Sequence, residues 1–241
     1  MHRFFVSQQW ISLTEARLEG DAAHQAARVL RLRPGEVIQL LDGSGEAVDV
    51  RLEEVMPGLC RGVVLGRGKV TAEPQKRLGL YLCLAQREKF EWMLQKCTEV
   101  GAAEFTPVIS SRSLVQEGSG WEKKQPRWQR IIQEAAEQSG RGRVPLLRPP
   151  MPYPAALADA AGRFACALLA WEGEQTRGLR AALKGADSAA VFIGPEGGFS
   201  EAEAAQAAAA GLQAVSLGRR ILRMETAAVA AAVLVMDELE G

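Results

Sequence analysis

The apolar positions of this chain change their period about a third of the way along. In the first seventy residues they alternate. Val48, Val50 and Leu52 are interleaved with charged Asp49, Arg51 and Glu53, the period-two pattern of a strand with one face buried. The preceding apolar run Val37 to Leu41 meets this strand through Asp42-Gly43-Ser44-Gly45, turn chemistry that predicts a hairpin. With Arg3-Phe4-Phe5-Val6 as a further strand, the segment predicts a compact β-barrel. One helix interrupts it, over Asp21 to Leu32, with Asp21 as its cap and Arg33-Pro34-Gly35 as its stop.

After residue 72 strands alternate with helices. Gly66 to Gln75 has the Gly, Pro and polar composition of a linker. Leu78 to Ala85 predicts a buried strand. Phe90, Met93, Leu94, Cys97 and Val100 then recur at helical spacing until Gly101. Phe105 to Ile109 is the next strand, and a helix from about Gln125 to Ser139 carries Trp128, Ile131, Ile132 and Ala135 as its apolar stripe. The last third runs strand, glycine loop, helix twice. Ala189 to Ile193 enters Gly194-Pro195-Glu196-Gly197-Gly198, and Ser200-Glu201-Ala202-Glu203 opens the next helix as a capping box. Ala214 to Leu217 enters Gly218 to Met224, and the final helix runs from Glu225 through Leu239. This is an α/β pattern, in which the sheet offers ligands the loops at its carboxyl edge. Phe164 to Ala170 adds a further strand.

Composition narrows the chemistry. The 241 residues carry 29 Lys+Arg and 29 Asp+Glu, with 47% hydrophobic residues. A balanced charge excludes a protein that holds polyanions by bulk charge. It conceals a gradient, because residues 71–150 carry 13 basic and 9 acidic residues whereas residues 151–241 carry 7 and 11. A signal peptide is not predicted, since the opening apolar run is three residues long, and the longest late run, Ala227 to Met236, is half a membrane span. The expectation is a cytoplasmic protein without membrane contact. Cys60, Cys83, Cys97 and Cys166 lack metal or disulfide spacing and read as small buried hydrophobes. With two histidines, His2 and His24, neither a two-histidine metal site nor an ordinary serine triad is easily built. No metal is expected. Gly68-Lys69 is not a phosphate loop, because Val63 and Val70 stand where Gly and Ser/Thr belong.

Six ordered blocks carry a family resemblance. They are Arg3-Phe4-Phe5; His24 with Arg28-Val29-Leu30-Arg31-Leu32-Arg33-Pro34-Gly35; Gln95 to Gly101; Glu134 to Arg141; Ile193 to Gly198; and Leu217-Gly218 leading to Ile221-Leu222-Arg223-Met224-Glu225-Thr226-Ala227. In these the chain resembles the RsmE family of ribosomal-RNA uridine-N3 methyltransferases, within the SPOUT superfamily. Cys97 departs from the small residue usual there. The resemblance implies a PUA-like β-barrel over residues 1–71 that binds RNA, and a SPOUT domain over 72–241 with a deep trefoil knot, S-adenosylmethionine as cofactor and a homodimer interface. From its residues alone, the Ala/Val-rich final helix could equally pack inside one subunit.

The same resemblance implies the site. Leu169, Ala170, Ile193, Gly194, Pro195, Glu196, Gly197, Leu217, Gly218, Ile221, Leu222 and Thr226 are expected to hold the cofactor. Uracil N3 must lose a proton before it attacks, so the chemistry wants a base or a cation that stabilises the forming anion. Arg223 is the expected cation; taken alone it would read as an exposed loop arginine. Glu196 and Glu225 are the expected bases or pocket-shaping acceptors, with Glu225 also placed to favour the positive start of the last helix. Arg3, His24, Arg28, Arg31, Arg33 and Arg141 are the expected RNA contacts. The expected substrate is small-subunit (16S) ribosomal RNA, free or in an assembled particle. Ribose 2′-O methylation and a non-catalytic assembly factor are the alternatives. Carbon-5 chemistry is disfavoured because neither glycine loop holds a cysteine.

Overall fold

The computed structural model describes residues 1–113 and 120–241, which fall into two compact units. The first comprises residues 1–73 with 136–144, the second residues 74–135 with 145–241.

In the first unit, β1 (His2–Phe5), β2 (Glu15–Glu19), β3 (Val37–Leu41), β4 (Glu46–Met56) and β5 (Leu59–Lys69) form one sheet in the order β1-β3-β4-β5-β2. The β1–β3 pair is parallel and the other pairs antiparallel. Alternation decides the faces: Phe4, Ile38, Leu40, Val48, Val50 and Leu52 lie in one core, while Gln39 and Asp49 remain half-buried on the other side. The expected helix is present but short. It runs as α1 (Gly20–His24) and continues as a wider π-turn over Gln25–Val29, burying Ala23 and Ala26. Asp21 is not its cap. It stands within the first turn, and the extended residue before the helix is Glu19, whose side chain makes no cap bond. Arg31, at φ 55°, turns the chain out of the helix.

The second unit is built on a parallel sheet of β6 (Arg77–Cys83), β7 (Glu104–Ile109), β8 (Leu146–Leu147), β9 (Met151–Pro152), β10 (Cys166–Ala170), β11 (Ser188–Ile193) and β12 (Gln213–Val215). Its order is β12-β10-β11-β6-β7-β8, with β9 also pairing β7. Parallel strands covered on both faces read as continuous apolar runs, and β6 and β11 do: Leu78 to Cys83 is buried throughout, as is Ala189 to Ile193. The helices are α2 (Arg87–Val100), α3 (Trp121–Ser139), α4 (Tyr153–Arg163), α5 (Leu179–Leu183), α6 (Glu201–Ala209) and α7 (Met224–Glu240). α7 packs on β6 and β11 beside α2 and α5. Helix α3 begins four residues before its expected start, and its last residues, from 136, are grouped with the first unit.

The capping box forms as the sequence requires. Ser200 accepts from the Glu203 N–H at 3.2 Å, while the Glu203 carboxylate accepts from the Ser200 N–H at 2.9 Å. One polar network lies at the starts of β6 and β7. Glu104, 3% exposed in its side chain, accepts from Arg163 at 2.7 and 2.8 Å and from Arg77 at 2.8 Å. Asp159 joins them through Arg163, Arg148 and the Tyr81 hydroxyl. All four cysteines are buried. Among the described residues no helix is long and apolar enough to cross a membrane.

Candidate cofactor site and RNA face

Three adjacent parallel strands of the second unit end together. Ala170, at the end of β10, pairs with Ile193 at the end of β11 on one side and with Val215 at the end of β12 on the other. The loops that follow, 171–178, 194–200 and 216–223, therefore leave one stretch of the carboxyl edge. Open α/β sheets present ligands at such edges.

Main-chain bonds sew the three loops together. The Trp171 N–H donates to the Val215 carbonyl at 3.1 Å, and the Ser216 N–H to the Arg177 carbonyl at 2.8 Å. The Trp171 indole Nε1 donates to the Phe199 carbonyl at 3.2 Å. Within the first loop, Glu174 accepts from the Thr176 hydroxyl, the Arg177 N–H and the Thr176 N–H. These bonds, the hydroxyl first, hold its carboxyl down at about 2. Gly198, at φ 66°, closes a turn in which its N–H donates to the Pro195 carbonyl at 2.9 Å. Gly218, at φ 114°, is a turn that a side chain would strain, and the Ser216 hydroxyl accepts from its N–H.

The expected cofactor residues lie on this edge. Leu169 and Ile193 are buried strand ends, Pro195 is buried in its loop, and Leu217 and Leu222 are half-buried. Ile221 is 86% exposed, an apolar side chain left in water beside backbone-rich loops. Thr226 and Gly218 are exposed, and Gly194 is backed by the Phe199 ring.

The three charged candidates differ in their partners. Arg223 is the residue that leads into α7; it is exposed and makes no ion pair among the described residues. Glu225, in the first turn of α7, buries its Oε2 without a hydrogen-bond partner among the described residues. Glu196 instead accepts from the Lys89 ammonium at 3.1 Å.

Sequence reasoning missed four contributors. Trp171 ties two loops, and Lys89 holds Glu196. Arg112 donates to the Gly197 carbonyl at 3.0 Å. Glu172 stands 3.3 Å from where a Cβ of Gly198 would sit. All four come from loops or helices that carry no glycine signature, and only their position at the strand ends marks them.

On the first unit, His24, Arg28, Arg31 and Arg33 are exposed. Arg3 is half-buried and donates to the Gln39 Oε1 at 3.0 Å. Arg141 requires a correction. It was expected among the RNA contacts, but it is 2% exposed and its guanidinium donates to Glu73 at 2.7 Å. Glu73 also accepts from the Gly142 and Arg143 N–H groups, so Arg141 is an internal clamp. A buried arginine held by a carboxylate is spent on structure.

The thiols are not poised for attack. Burial pushes Cys83 up to about 12 and raises Cys97 further.

Residues 72–236 match the family model of an RNA methyltransferase domain, and residues 18–65 match that of an RNA methyltransferase PUA domain. Fold and site together thus define an RNA methyltransferase with an appended PUA domain. A Synechocystis protein named ribosomal RNA small subunit methyltransferase E is 34% identical over 96% of this chain and 74% of its own length. A Mycobacterium tuberculosis protein of the same name is 33% identical over 90% and 84%. The Neisseria gonorrhoeae ribosomal RNA small subunit methyltransferase E, crystallised with S-adenosylmethionine, superposes with a TM-score of 0.85 at 32% identity over 98% of this chain and 97% of that one. A putative methyltransferase of Legionella pneumophila, also with the cofactor bound, gives 0.83 at 27% identity over 98% and 96%. The chain belongs to the ribosomal RNA small subunit methyltransferase E family.

Proposed function

We propose that this chain methylates the N3 position of a specific uridine in small-subunit (16S) ribosomal RNA, with S-adenosylmethionine as methyl donor. The observation that carries this reading is the junction of three loops at the ends of β10, β11 and β12, with a buried, unpartnered Glu225 oxygen in the helix that follows the third loop. An orphaned carboxylate oxygen is costly unless a ligand completes it. The residues fit a cationic, adenosine-bearing group: acidic Glu225 and Glu172 offer charge, glycine turns admit main-chain contacts, and exposed Ile221 gains cover. The structures from Neisseria and Legionella, both crystallised with S-adenosylmethionine, support the choice of cofactor.

When bound, S-adenosylmethionine supplies an electrophilic methyl on a positively charged sulfur. The protein's part is positioning and charge. Leu169, Ala170, Ile193, Gly194, Pro195, Gly197, Leu217, Gly218, Ile221, Leu222 and Thr226 form the walls and the main-chain contacts of the cofactor pocket. Arg223, always charged and without an ion pair among the described residues, stabilises the negative charge that develops on uracil when N3 loses its proton. Of the two carboxylates, Glu225 is the better acceptor, because Lys89 already occupies Glu196.

The division of labour follows. Residues 1–71 hold RNA through His24, Arg28, Arg31 and Arg33, and residues 72–241 hold the cofactor through loops threaded as a trefoil knot. α7, with Val233 47% exposed, lies at a homodimer interface. The enzyme works in the cytoplasm, on rRNA or an assembling subunit. Calorimetry with S-adenosylmethionine, followed by methyl transfer to small-subunit RNA and nucleoside analysis, tests the reading. Cofactor binding and N3-methyluridine are expected; absent heat at saturating cofactor, or only ribose methylation, overturns it.

A further inference from the structure

The outer face of the first unit's sheet holds a cavity of about 400 Å³. A hydrogen-bonded row crosses its floor. Arg3 on β1 pairs with Gln39 on β3, Gln39 with Asp49 on β4, and Asp49 with Gly66 on β5. Arg3 Nε donates to Gln39 Oε1 at 3.0 Å, and Gln39 Nε2 donates to Asp49 Oδ1 at 2.9 Å. The next row on the same face ends in Ala47 and Gly68. Side chains are thus present at one end of the face and missing at the other.

Packing does not require those two glycines. Neither has a positive φ, and a Cβ on either would meet open space. Gly62 of the same strand is different, since a Cβ there would sit 2.4 Å from the Arg51 carbonyl oxygen. Glycine inside a strand lowers stability and marks a bulge, a bend or the close approach of a ligand or another backbone; Gly66 adjoins the β4–β5 register shift, and Gly68 lies two residues beyond it. The β4–β5 register also shifts between Asp49 and Val50, the kind of bulge that re-aims a side chain. Lys69, which lines the cavity, has no partner among the described residues.

We propose that this recess binds one unpaired guanine nucleotide of the RNA substrate. A carboxylate only accepts hydrogen bonds, and each of its oxygens can accept more than one; Gln39 takes one position on Asp49 Oδ1, which fixes the carboxylate's orientation and leaves both oxygens able to accept. Guanine alone among the four bases presents two adjacent N–H donors, N1–H and the 2-amino group, to such an acceptor. Adenine and cytosine place a ring acceptor beside their amino group, and uracil flanks its N–H with two carbonyls. The bare strip of Gly66 and Gly68 admits a flat ring, and Lys69 receives the phosphate. The proposal rests on the chain being an RNA enzyme.

The test uses the full chain and fluorescently labelled oligocytidine carrying one central guanosine, inosine or adenosine. Inosine keeps N1–H and lacks the 2-amino group. The guanosine oligomer is expected to bind on the order of tenfold more tightly than the other two, the discrimination a bidentate base contact gives. Asp49→Asn is expected to erase the preference without lowering the unfolding temperature. Gly68→Val is expected to raise that temperature while weakening binding of all three. Equal affinities in the wild type, discrimination kept by Asp49→Asn, or undiminished binding by Gly68→Val overturns the proposal. Calorimetry with S-adenosylmethionine separates the two readings. Cofactor binding without base discrimination removes only the recess, and discrimination without cofactor binding removes the methyltransferase reading.

Discussion

The indole nitrogen of Trp171 lies 3.2 Å from the carbonyl oxygen of Phe199 and donates to it. That bond joins the loop after β10 to the loop after β11, and the Trp171 N–H joins both to the end of β12. Trp171→Phe keeps an aromatic ring but removes the donor together with half of the indole. It is expected to cost about 1 kcal/mol in stability and to weaken cofactor binding several-fold, read by denaturant unfolding and calorimetry. Unchanged affinity would mean that the loops hold their geometry without this tie.

Arg223 is exposed and makes no ion pair among the described residues, so its replacement removes no salt bridge there. Arg223→Ala is expected to lower turnover by at least about tenfold, as loss of a transition-state contact does, with cofactor affinity little changed. An equal, large loss of affinity would assign it to cofactor binding.

Glu225 carries a buried oxygen with no hydrogen-bond partner among the described residues. Glu225→Gln removes the charge from that position and is expected to raise the unfolding temperature of the cofactor-free protein while weakening S-adenosylmethionine binding. Lower stability together with unchanged binding would contradict the role given to this carboxylate.

Glu203 gives a pH dependence. Burial opposes its ionisation, but the Ser200 and Ser111 N–H groups outweigh burial and hold its carboxyl below the usual range. A depressed carboxyl contributes stability above its unfolded value near 4.5, and that contribution is lost as pH falls through the lower folded value. The wild type should therefore lose more stability between about pH 5 and pH 3 than Glu203→Gln. Thermal unfolding across that range checks it.

Glu104 is the buried centre of the Arg77, Arg163 and Asp159 network. Removing it leaves partly buried guanidinium groups facing one another. Glu104→Ala is expected to destabilise the second unit by about 3 kcal/mol, measured by chemical denaturation.

Much of this was legible in the sequence because it was local. The hairpin between Val37 and Leu52, the Ser200 to Glu203 capping box and the apolar strands before Gly194 and Gly218 are set by near neighbours along the chain. Short elements were not legible. β8 and β9 have two residues each and owe their existence to β7, while α5 is too brief for a periodic signal. The fate of Arg141 was hidden for the same reason, because its partner Glu73 lies 68 positions away. Motif blocks name candidate residues, but they do not show which charges are spent. Only the fold distinguishes Glu196, held by Lys89, from Glu225, left without a partner.

The most direct test of the methyltransferase reading compares small-subunit ribosomal RNA from cells with and without this gene by mass spectrometry of its nucleosides. The account predicts one N3-methyluridine that disappears with the gene and returns with it, and fails to return with Arg223→Ala. An unchanged N3-methyluridine content, or the loss of a ribose-methylated nucleoside instead, would contradict it.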